Sequence, residues 1–105
     1  MSFIAVYTTV ATLQDAKRIA QALVQRKLAA CAQISEIESF YLWNGALQNE
    51  PERRILFKTT TDRYAAVESA IRELHPYELP AIHAVPFAHV SLQYAAWLEE
   101  GSRGE

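Results

Sequence analysis

The residues of this 105-residue chain best equipped for chemistry are His75, His83 and His89, the single Cys31, and Lys58 in the otherwise apolar run Ile55-Leu56-Phe57-Lys58. Thiolate and imidazole are ligands for copper and related metals, but they must converge on one ion. No histidine here has a ligand-spaced neighbour, so the sequence predicts that each is structural or solvated. Cys31 sits between small alanines and is expected to serve as a packing residue. Lys58 needs a partner or an outlet to water. Its alternative role is in a ligand cleft with Tyr77, Trp43 and Cys31, where an ammonium would meet a small anionic ligand.

Several function classes are excluded by pattern. Three glycines leave no phosphate-binding or dinucleotide-binding loop, and no Ser/His/Asp or Cys/His order stands out, so no enzyme is expected. A formal charge of -2, without a block of like charge, leaves no footprint for nucleic acid or an anionic membrane. No apolar stretch approaches the ~20 residues of a membrane helix. The opening MSFIAVYTT lacks signal-peptide character, and the lone cysteine fits a reducing compartment. A cytoplasmic protein is expected.

The elements that must position these side chains follow from periodicity. Residues 3–9 are β-branched and aromatic, which predicts a strand. Thr12 and Asp15 open a helix whose stripe Ala16, Ile19, Ala20, Leu23 and Val24 runs to about Lys27. A strand over 30–43 meets Asn44-Gly45, a strong hairpin signal, and a return strand runs over 46–60 with Pro51 at an edge or a bulge. Thr61-Asp62 is expected to cap a second helix carrying Tyr64, Val67, Ile71 and Leu74, which Pro76 ends. A strand over 81–87 follows, then a final helix capped by Ser91 and closed by Gly101.

The order β-α-β-β-α-β plus a C-terminal helix predicts one α+β domain over residues 1–105, a ferredoxin-like sandwich with both long helices on one sheet face. An acylphosphatase on that fold would need an Arg-bearing phosphate loop after the first strand, and Thr8-Thr9-Val10-Ala11-Thr12 has none. An RNA-recognition domain would stack bases on residues such as Tyr7 and Phe57, but the basic charge and the characteristic motif are missing.

Fourteen residues from Ala30 to Trp43 would span about 45 Å, more than twice the usual strand, so the hairpin they form with the return strand should project beyond its own core. Its tip carries Phe40, Tyr41, Leu42 and Trp43 in succession, which puts large apolar groups on both faces. Such a tip in water invites aggregation. Burial against neighbouring subunits is the expected outcome, and cover by a bulge or the terminal helix is the alternative.

Taken in order, Leu28-Ala29-Ala30-Cys31-Ala32-Gln33-Ile34, Tyr41-Leu42-Trp43-Asn44-Gly45, Lys58-Thr59, His75-Pro76-Tyr77-Glu78-Leu79-Pro80 and Tyr94-Ala95-Ala96-Trp97-Leu98 resemble the CutA divalent-cation tolerance family over nearly the whole chain. The resemblance implies a homotrimer similar in architecture to the PII signalling proteins, and a role in the response to copper and other divalent cations. Family members proposed to bind copper have a Cys near the end of the first strand and a His pair before Pro-Tyr. This chain has Tyr7 at the first place and Leu74-His75 at the second, so His75 is its metal candidate and weak Cu(II) binding is expected. The competing reading is a PII-like or ACT-like sensor that takes a small anionic ligand at intersubunit clefts.

Overall fold

A computed structural model describes residues 2–104. Strand β1 (Phe3–Val10) leads to helix α1 (Leu13–Gln25), then to the long strands β2 (Cys31–Trp43) and β3 (Ala46–Thr60). A 3-10 turn (Thr61–Arg63), helix α2 (Tyr64–Leu74), strand β4 (Ile82–Pro86) and helix α3 (Leu92–Gly101) complete the order. The sheet is antiparallel throughout, in the order β2-β3-β1-β4. That is the strand order of the ferredoxin-like sandwich the periodicity predicts.

Local chemistry explains most boundaries. Thr12 accepts from the Asp15 backbone N–H at 3.1 Å and caps α1. The helix stops at Gln25, two residues short of expectation, because Lys27 enters the left-handed region (φ 57°) and Leu28 N–H returns to the Leu23 carbonyl. Asn44 (φ 52°) and Gly45 (φ 78°) supply the two positive φ values a tight hairpin turn needs. Pro51 sits in an unbroken one-to-one ladder opposite Glu38. There β3 has already passed the end of β1, whose last partner is Arg53, so the proline lies on an edge and no bulge is required.

The expected cap on α2 is corrected. Thr61 and Asp62 form the 3-10 turn, and the Asp62 carboxylate accepts from the Thr60 hydroxyl instead of capping a helix. Ser91 does cap α3, accepting from Tyr94 N–H at 3.2 Å. Gly101 is the last residue of α3, but its reason is contact: a Cβ there would lie 2.7 Å from the Ala30 Cβ. Glycine lets α3 lie close against the chain entering β2.

Alternation along the strands separates two faces. Val6, Val10, Ile55 and Phe57 turn toward Ile19, Leu23, Val67 and Ile71 of α1 and α2, and this cluster is the core. On the opposite face α3 covers one end, with Leu98 fully buried and Tyr94 at Lys58. Beyond it Tyr7 stacks on His83 at 5.2 Å, with the Arg54 guanidinium over the Tyr7 ring. Tyr7 and Phe57 therefore point to opposite faces and make no stacking pair, which removes the basis of the RNA-recognition alternative.

Candidate functional site

From Ile37 to Glu52 the hairpin runs beyond the β1 ladder, which ends at Arg53, and the molecule measures 46 × 26 × 21 Å. Helix α3 lies at the other end of the hairpin, so neither it nor a bulge covers the tip. Phe40 is 65% exposed, Leu42 70%, Trp43 51% and Tyr41 42%. All four belong to the predicted interface set.

The loop after α2 is fixed against the base of this hairpin. Arg18 donates to the Leu74 carbonyl at the end of α2, and His75 leaves the helix in extended backbone, as the residue before a proline must. The His75 ring is buried, and both of its nitrogens are used. Nε2 is 2.8 Å from the Thr9 carbonyl, where it donates, and Nδ1 accepts from Tyr77 N–H at 3.1 Å. Burial lowers the His75 pKa, outweighing the Thr9 carbonyl, which favours the charged form. By sequence His75 was the metal candidate. The fold instead keeps His75 neutral and uses it to aim Tyr77, whose ring packs 4.8 Å from the imidazole.

Tyr77 then reaches back to the hairpin and donates its hydroxyl to Glu52 Oε2 at 2.8 Å. Glu52 is only 7% exposed. Burial raises the Tyr77 pKa, and the hydrogen bond to Glu52 and that carboxylate's charge raise it further, so the phenol stays a donor. Between loop and hairpin lies a groove of about 690 Å³ lined by Thr9, Tyr41, Trp43, Glu52, Tyr77 and Glu78, with Phe40 also bordering it.

Two of the four predicted cleft residues, Tyr77 and Trp43, meet here. The other two do not. Lys58 and Cys31 are directly paired across β3 and β2, twelve residue pairs from Trp43, which at ~3.3 Å per residue places them about 40 Å away along the ladder. Lys58 donates to the Tyr94 hydroxyl at 3.2 Å, and Cys31 beside it is partly exposed, not the buried packing residue expected. His83 lies in β4, stacked on Tyr7, and His89 in a loop, as predicted. Among the described residues no group of three His, Cys, Asp or Glu side chains could hold a metal ion. The sequence reasoning missed Glu52 and Glu78. Glu78 lay within the proline-bounded motif and was legible there, whereas no local pattern marks Glu52.

The family described as CutA1 divalent ion tolerance protein matches residues 4–101. A divalent-cation tolerance protein CutA of Thermus thermophilus is 38% identical over 98 residues, covering 92% of this chain and 95% of that protein. The solved structure of CutA1 from Oryza sativa superposes with a TM-score of 0.94 at 34% identity, covering 98% of this chain and 95% of the other. A structure described as the periplasmic divalent cation tolerance protein CutA from Archaeoglobus fulgidus gives 0.93 at 32% identity, covering 96% and 99%.

Proposed function

Since this chain belongs to the CutA1 divalent ion tolerance family, we propose that it works as a cytoplasmic, non-catalytic homotrimer in the response to divalent cations, with a PII-like arrangement of subunits. The observation that carries this reading is the hairpin tip, where Phe40, Leu42 and Leu47 are each at least 65% exposed in a single chain. An apolar patch of that kind, on a strand pair with open edges, marks an interaction surface. No helix is long and apolar enough to cross a membrane. The lone Cys31 accords with a reducing compartment. Light scattering at micromolar concentration is expected to give three times the 11.9 kDa of one chain. A monomer mass ends the proposal.

Copper binding by this trimer is weak. His75 can ligate only by giving up its bond to the Thr9 carbonyl or to Tyr77 N–H, and Tyr7, the residue at the family's cysteine position, is stacked on His83. Calorimetric titration with Cu(II) at pH 7 should show no submicromolar site in the parent or in His75→Ala. Submicromolar binding by the parent, lost in the variant, would refute this.

A second reading, sensing of a small anionic ligand at an intersubunit cleft, rests on Lys58, whose ammonium has the neutral Tyr94 hydroxyl as its hydrogen-bond partner. It requires Lys58 of one subunit to reach the groove of another.

A further inference from the structure

We propose that the groove between the hairpin and the His75–Pro80 loop is a binding site for a small organic ammonium ion. The inference goes beyond the assembly reading, because every residue it uses belongs to one subunit.

Charge decides the class of ligand. Glu52 and Glu78 line the groove, and among its described lining residues there is no Lys, Arg or His. Glu52 is more than nine-tenths buried, yet no cation pairs with it among the described residues. A buried carboxylate is costly unless a cation or hydrogen bonds compensate it. The Tyr77 hydroxyl gives Glu52 Oε2 one hydrogen bond, and the Glu52 side chain lines the groove.

The walls choose among cations. Tyr41, Trp43 and Tyr77 are aromatic, and the negative face of an aromatic ring attracts a weakly hydrated cation. A hard divalent ion would want six or more oxygens, and no cluster of three acidic or imidazole ligands exists among the described residues. An alkylammonium needs only one carboxylate and aromatic contact. The volume of about 690 Å³ leaves room for apolar substituents on the nitrogen.

Strand alternation keeps this site compatible with assembly. Tyr41 and Trp43 lie on one face of β2 with Ser39, which also lines the groove, while Leu42 and Phe40, which borders the groove at its edge, lie on the other and are the more exposed pair. Assembly can draw on the second pair while the ligand uses the first.

The test uses a Trp97→Phe background, in which Trp43 is the sole tryptophan and reports on the groove. The full chain is titrated with tetramethylammonium chloride against sodium chloride at equal ionic strength, with tert-butanol as the neutral analogue and inorganic phosphate as the anion. Tetramethylammonium should produce a saturable change in Trp43 emission in the millimolar range, and tert-butanol and phosphate should not. Glu52→Gln retains an acceptor for Tyr77 but removes the charge, and should weaken binding by about tenfold or more. If Glu52→Gln does not fold, Glu78→Gln carries the test with a loss of about threefold. A flat response to tetramethylammonium, equal affinity in the folded variant, or saturation by phosphate instead overturns the proposal. The mass measured on the same samples separates the two readings. A monomer that binds the cation removes the trimer and leaves the site, and a trimer that does not bind removes the site and leaves the trimer.

Discussion

Replacing Phe40 and Leu42 together by aspartate should turn the proposed trimer into monomers at micromolar concentration without unfolding the helix-backed half of the molecule. Both side chains project beyond the β1 ladder and are 65% and 70% exposed in one chain, so they contribute little to that chain's own core. Their removal from water therefore depends on neighbours. Side chains that act as central anchors of an interface cost about 2 kcal/mol or more each when lost, and an aspartate adds the cost of an unpaired charge in an apolar setting. A loss of about 4 kcal/mol or more per interface lowers the association constant roughly a thousandfold. Light scattering reads the mass, and circular dichroism reads whether the fold survives. A variant that remains a trimer at the parent's dissociation concentration would show that the tip is not the interface. If instead it unfolds at every concentration, assembly and folding are one event in this protein.

The largest effect on the fold itself is expected at Phe57. Its ring is fully buried where β3 meets α1 and α2, among Ile19, Leu23, Val67 and Ile71. Truncation to alanine removes the transfer energy of the ring and leaves a cavity that two helices and a sheet cannot close, a loss of about 3–5 kcal/mol. For a domain with about 5–15 kcal/mol in total, that is a large share. The adjacent Lys58 is the internal control. It faces the other side of the same strand, partly exposed, with one hydrogen bond to Tyr94, so Lys58→Ala should cost about 1 kcal/mol or less. Urea midpoints compared at one protein concentration measure both, because assembly would make them concentration-dependent. Similar losses at the two positions would contradict the assignment of faces.

That contrast also shows which information was local. The stripe from Ala16 to Leu23, though not its last predicted member Val24, which is exposed, the alternation through Ile55 and Phe57, the caps at Thr12 and Ser91 and the Asn44-Gly45 turn act over a few residues, and each is recovered at its place in the fold. The excess length of β2 and β3 over β1 was likewise countable from the chain, and with it the projecting tip. The motifs that resemble the CutA family were legible for the same reason, since each is a contiguous string.

Tertiary structure decided what depends on partners far apart in sequence. Gly101 looked like a helix terminator, but its lack of a side chain is demanded by Ala30, some seventy positions earlier. His75 looked like a metal candidate. Burial lowers its pKa and Tyr77 N–H donates to Nδ1, while the Thr9 carbonyl that holds the other nitrogen lies 66 residues away. Lys58, Tyr77, Trp43 and Cys31 looked like one cleft because their residue types are complementary, yet distance along a rigid ladder cannot be compressed, and Lys58 and Cys31 stay at its opposite end. Glu52 was one acid among twelve acidic residues until Tyr77, 25 residues on, closed over it. Propensity and periodicity depend on neighbours along the chain and can be read from it. Burial, protonation and the sign of a groove depend on neighbours in space, and only packing supplies those.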